Sequence, residues 1–85
     1  MAKVEIYSTR SCPSCVRAKQ LLQQKGVTFT EYKVDEDRDK FEEMKQRTDG
    51  RRTVPSIFIN DEFVGGFDAV LALEKAGELD KKLNV

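Results

Sequence analysis

The chain has no histidine and only two cysteines among its 85 residues. One chain of this composition cannot supply the four nitrogen and sulfur ligands of a conventional zinc site, which only a dimer would complete. The missing histidine also removes the commonest general base. An excess of charge of either sign is lacking as well: fifteen basic and fifteen acidic residues give a formal net charge of zero. That balance argues against a nucleic-acid-binding arm or a basic membrane face. No apolar run approaches the length of a signal-peptide core or a spanning helix. A soluble protein of a reducing, cytoplasmic compartment is expected, with neither nucleic acid nor membrane as partner. Linkers and repeats are absent too, and the length suits one core but not two, so residues 1–85 are read as a single domain.

What is present is a C-x-x-C unit, Cys12-Pro13-Ser14-Cys15, placed where a short apolar strand from Val4 to Tyr7 gives way to a helix. Pro13 has a helical φ and no N–H, so it suits the first helical position and puts Cys12 at the N-cap and Cys15 at the third position. The Cys12 sulfur then faces unpaired backbone donors at the positive end of a helix dipole. Both favour thiolate over thiol and lower the pKa from the free value of ~8.5. Cys15 returns to the same face one turn deeper, within reach of a disulfide. Cys12 is the expected nucleophile and Cys15 the resolving thiol. A purely structural disulfide is the competing reading, but closing so short a loop removes only ~2 kcal/mol of chain entropy. Thiol redox chemistry is therefore preferred.

Further along, the stripe Cys15, Ala18, Leu21 and Leu22 predicts a helix ended by Gly26. Phe29, Tyr32 and Val34 lie in a second β-prone run, so Val4 to Val34 reads as a βαβ unit. Acidic residues from Asp35 to Asp39 open a second helix with Phe41, Met44 and Thr48 inward, and Lys40, Glu42, Glu43 and Lys45 toward water. After a loop of Asp49, Gly50, Arg51 and Arg52, the runs Val54 to Ile59 and Glu62 to Gly65 predict a hairpin turned at Asn60 and Asp61. Asp68 is expected to cap a third helix carrying Val70, Leu71 and Leu73, with Gly77 at its end and Leu79 and Leu83 in a last turn. The order β-α-β-α-β-β-α implies a layered α/β domain in which ligands gather at the carboxyl ends of parallel strands, where Cys12 lies.

That order, together with Cys12-Pro13-Ser14-Cys15, Thr53-Val54-Pro55 and Gly65-Gly66 followed by Asp68, resembles the dithiol glutaredoxins of the thioredoxin superfamily over nearly the whole chain. The resemblance implies a thioredoxin-like fold, a four-stranded mixed sheet flanked by helices. It implies a monomeric, glutathione-dependent thiol–disulfide oxidoreductase with no tightly bound cofactor or metal, and glutathione as co-substrate. Its partners would be disulfide-bonded or glutathionylated proteins. Glutaredoxin potentials of about −200 to −230 mV overlap the biochemical glutathione poise, so glutathione can drive the cycle. The likeness also implies a cis Val54–Pro55 bond, with the main chain of Val54 pairing with the cysteine of glutathione. Gly66, Phe67 and Asp68 would receive its γ-glutamyl end.

This sequence departs from the family pattern at several positions. The lysine usual three residues before the first cysteine is Thr9, so Arg10 or Arg52 is expected to meet the glycyl carboxylate, with Arg51 a solvated loop charge. Ser14 stands where tyrosine is usual and leaves the site more open. The acidic pair usual after the two glycines is reduced to Asp68 between Phe67 and Ala69. The expected glutathione site thus comprises Arg10, Pro13, Ser14, Arg52, Thr53, Val54, Pro55, Gly66, Phe67 and Asp68. Two rivals remain: a thioredoxin-like electron donor recharged by a flavoprotein reductase, and a dimer holding a [2Fe–2S] cluster through Cys12 and glutathione.

Overall fold

The computed structural model describes residues 2–83; Met1, Asn84 and Val85, included in the expected 1–85 domain, lie outside the described residues. In chain order the elements are β1 (Val4–Ser8), α1 (Pro13–Gln24), β2 (Thr30–Lys33), α2 (Arg38–Arg47), β3 (Ser56–Ile59), β4 (Glu62–Gly65), α3 (Phe67–Lys75) and α4 (Leu79–Leu83). The four strands form one mixed sheet in the order β2-β1-β3-β4. β1 runs parallel to β2 and antiparallel to β3, with Glu5 opposite Thr30 on one side and Phe58 on the other.

All five residues of β1 are buried, because the central strand is covered on both faces while successive side chains alternate between them. Val4 and Ile6 join Ile57 and Ile59 of β3 against Ala18 and Leu22 of α1, Val70 of α3, and Leu79 and Leu83 of α4. On the opposite face Tyr7 and Phe58 pack with Val34 and Met44, beneath α2. Asn60 and Asp61 both adopt positive φ, 53° and 65°, the backbone that a tight two-residue hairpin requires.

Four expectations need correction. β3 begins at Ser56 rather than Val54, since Pro55 has no N–H to give to a ladder. The terminal turn is a separate helix, α4, set off from α3 where Gly77 takes a φ of 73°. Asp68 does not cap α3: the N-cap is Gly66, without a side-chain cap bond, and Asp68 lies inside the first turn. The polar face of α2 is not simply solvated. Tyr7 donates its hydroxyl proton to Glu43 at 2.8 Å, and the Lys40 ammonium stands 4.3 Å from the Tyr32 ring centroid.

The reason is that β1 presents Glu5 and Tyr7 to α2. Glu5 is only 6% exposed, and its carboxylate accepts from both terminal nitrogens of Arg47, at 3.0 and 3.3 Å, and from the Tyr32 hydroxyl at 3.0 Å. Arg47 also donates to the Tyr7 hydroxyl at 2.7 Å and lies 3.9 Å from the Phe58 ring centroid. Burial pushes the Glu5 carboxyl up, but hydrogen bonds from Arg47 and Tyr32 outweigh it and leave its pKa below the ordinary value. A buried carboxylate survives here because every oxygen is met by a donor.

Candidate active site at the start of the first helix

Cys12 is the N-cap of α1, with φ −116° and ψ 99°, and Pro13 occupies the first helical turn. The Cys15 N–H donates to the Cys12 sulfur at 3.1 Å, which is an N-cap bond with sulfur as acceptor. The two cysteines are joined in a disulfide with their Cα atoms 5.2 Å apart. Cys15 is fully buried while Cys12 is half-exposed. Of the pair, Cys12 is thus the one open to solvent.

A groove of about 370 Å³ adjoins this turn. Ser14 of α1 forms one side, Arg51, Val54 and Pro55 another, and the segment from Gly65 to Ala69 the third. The Val54–Pro55 bond is cis. Gly65 and Gly66 are needed for close approach: a β-carbon on Gly65 would lie 2.7 Å from that of Ala69, and one on Gly66 3.3 Å from the Pro55 carbonyl oxygen. The groove brings one guanidinium, Arg51, and one carboxylate, Asp68, to the same opening.

Of the expected glutathione-site residues, Ser14, Val54, Pro55, Gly66, Phe67 and Asp68 line this groove. Pro13 sits exposed beside Cys12. Thr53 and Arg52 are exposed and do not line it, although the Thr53 carbonyl accepts from Ser56 Oγ at 2.9 Å. Arg10 is turned away, its backbone N–H and Nε both 3.3 Å from Asp35 Oδ2. Burial acts to raise the Asp35 pKa, but these contacts from Arg10 hold it below the usual carboxylate value.

Arg51 is the correction. It is not a solvated loop charge: Nε donates to Ser56 Oγ at 3.1 Å, Nη2 to the Pro55 carbonyl at 3.4 Å, and the guanidinium lies 5.4 Å from the Phe63 ring centroid. Nothing local in the sequence separates Arg51 from its neighbour Arg52. The distinction arises from the turn at Asp49 and Gly50, both at positive φ, and from Ser56, which meets Arg51 from the start of β3. Ala69 was missed as well, because its part in the groove is steric and follows from the closeness of Gly65.

A sheet in this order with a C-x-x-C pair capping the helix after β1 defines a thioredoxin-like dithiol domain. The family model for glutaredoxin matches residues 4–64. Glutaredoxin 3 of Escherichia coli K12 is 51% identical over 83 residues, spanning 98% of this chain and 99% of that protein. A probable glutaredoxin of Synechocystis is 52% identical over 82 residues, spanning 96% of this chain and 75% of its own length. Among solved structures, a buckwheat glutaredoxin–glutathione complex superposes with a TM-score of 0.87 at 29% identity, covering 98% of this chain and 77% of that one. A dithiolic glutaredoxin of Trypanosoma brucei gives 0.84 at 39% identity, covering 95% and 86%. The chain belongs to the glutaredoxin family.

Proposed function

We propose that this chain reduces glutathione mixed disulfides and protein disulfides at the expense of glutathione. In the first reaction the Cys12 thiolate attacks the glutathionyl sulfur of a mixed disulfide. The client's sulfur leaves with the electron pair of the broken bond and takes a proton from water, while Cys12 becomes glutathionylated. The thiolate of a second glutathione attacks that same glutathionyl sulfur, forming oxidised glutathione and restoring the Cys12 thiolate. In the second reaction Cys12 attacks a protein disulfide and expels one client sulfur as a thiolate, which takes the proton of Cys15. The Cys15 thiolate then attacks the Cys12 sulfur, and the second client sulfur leaves with the electron pair and takes a proton from water. Two glutathiones then reduce the Cys12–Cys15 disulfide.

The observation that carries this reading is the pairing of a sulfur N-cap with a groove bearing both charges. Glutathione has two carboxylates and an ammonium. Arg51 retains N–H donors beyond those it spends on Ser56 and Pro55, and a guanidinium suits bidentate capture of a carboxylate. In this reading it replaces Arg10 and Arg52 as the glycyl anchor, while Asp68 takes the ammonium and the N–H groups at the start of α3 take the other carboxylate. No general base is required, because the helix-end donors favour the thiolate and a thiolate is a good leaving group. Among the described residues no helix is long and apolar enough to cross a membrane. Action as a monomer fits a groove lined by one chain.

The deciding test is serine replacement of each cysteine. Cys12→Ser is expected to abolish glutathione-linked reduction of both substrate types, and Cys15→Ser to keep deglutathionylation while losing reduction of protein disulfides. Loss of both activities in Cys15→Ser would overturn the one-cysteine route. Turnover supported only by a flavoprotein reductase, and not by glutathione, would overturn the reading as a whole.

A further inference from the structure

A second groove, of about 240 Å³, runs between α1 and α3 and is lined by Arg17, Gln20, Leu21, Gln24, Phe67 and Leu71. Phe67 lines this groove and the one beside the cysteines alike, so the two adjoin at that side chain. Pro13, Arg17 and Leu21 are spaced four apart on α1, which places them along one side of the helix leading away from Cys12. The floor is apolar, with Leu21, Phe67 and Leu71 only partly covered. Along the rim, Gln20 and Gln24 offer amides one turn apart. Arg17 is exposed and makes no ion pair among the described residues.

We propose that this groove holds the polypeptide of a glutathionylated client, and that it selects a segment with an apolar side chain and a carboxylate close to the modified cysteine. The inference rests on the glutathione reading above, because only a client joined to glutathione would fill both grooves at once. From Arg17 to Gln24 the helix rises about 10 Å, enough for about three residues of extended chain. The apolar side chain would sit on Leu21 and Leu71, the glutamine amides would meet its backbone, and Arg17 would meet the carboxylate. Selection operates by charge at the rim and by burial at the floor, with chemistry at Cys12 unchanged.

The test uses three substrates: a synthetic peptide glutathionylated at its single cysteine and flanked by leucine and glutamate, the same peptide flanked by serine and lysine, and the mixed disulfide of glutathione with cysteamine. Turnover is followed through glutathione reductase. The wild-type chain is expected to favour the leucine–glutamate peptide over the serine–lysine peptide by about fivefold in kcat/KM. Arg17→Glu is expected to remove or invert that preference while leaving cysteamine turnover unchanged. Equal kcat/KM for the two peptides with the wild-type chain, or an unaltered preference in Arg17→Glu, overturns the docking proposal and leaves the glutathione reading intact. Failure of glutathione to support turnover of any of the three overturns the glutathione reading and the docking with it.

Discussion

Arg51 and Gly66 meet across the groove: a β-carbon added to Gly66 would stand 3.0 Å from Nη2 of Arg51. The absence of a side chain at Gly66 thus leaves room for the guanidinium, which Ser56 and the Pro55 carbonyl hold in place. If this cation receives a glutathione carboxylate, Arg51→Ala should raise KM for glutathione by about tenfold and change kcat little. Arg52→Ala and Arg10→Ala should each change KM less than about twofold, since their side chains do not line the groove. Steady-state kinetics with varied glutathione would check the ranking, and a larger effect at Arg52 would reverse the assignment.

Gly65 takes a φ of 133°, and its absent β-carbon would lie 2.7 Å from that of Ala69. Gly65→Ala should therefore destabilise the fold by about 2 kcal/mol or more, through backbone strain together with a steric clash. Combining it with Ala69→Gly should recover part of the loss, because the clash is relieved while the φ penalty stays. Urea denaturation of both variants measures the division.

The Glu5–Arg47 pair predicts an asymmetry. Arg47→Met should cost about 3 kcal/mol, since it leaves a carboxylate on the central strand buried beside apolar neighbours. Adding Glu5→Met should restore much of that stability. The penalty of the single variant should also shrink at acidic pH, where Glu5 can be buried neutral. Equal losses in the single and double variants would show that the ion pair is not the cause.

Those residues mark where the sequence was legible and where it was not. Cys12, Pro13, Asn60 and Asp61 were readable because their conformations follow from local chemistry: an acceptor before proline at a helix start, and two residues that tolerate positive φ between strands. Met44 and the α1 stripe were readable from periodicity. Arg51 and Glu5 were not, because their partners come from other parts of the chain and only the folded sheet brings them together. Asp68 misled because aspartate suits both the N-cap and the first turn, and the close packing around Gly66 gave that residue the cap.

Tyr7 contributes to the alkaline limit. Burial, with the hydrogen bond to Glu43, pushes its pKa up to about 12 from the ordinary 10.0. The folded state thus holds this proton more tightly than the unfolded chain, so the contribution is complete below about pH 10 and is lost as pH rises toward 12. It amounts to on the order of 2 kcal/mol. Glu5, Glu31 and Glu43 have the opposite sign: in Glu5 and Glu31 burial is outweighed by donors from Arg47 and Lys19, and Glu43 is held down first by Tyr7. Their contribution is present above the ordinary value of 4.5 and is lost as pH falls through their lowered values. Stability measured in urea against pH should show a plateau between these limits. In a Tyr32→Phe variant, where Tyr7 is the sole tyrosine, tyrosinate absorbance should remain largely undeveloped at about pH 10.5 while the fold persists.

Once the disulfide is reduced, main-chain donors at the start of α1 are expected to hold Cys12 as a thiolate. Thiolate absorbance or alkylation rate followed against pH decides this in the reduced Cys15→Ser variant, where Cys12 is the sole thiol. A single midpoint well below the free-thiol value of ~8.5 is expected, with most of the sulfur ionised at neutral pH. A midpoint at or above that value, with alkylation no faster than that of an unstructured cysteine peptide, would contradict it.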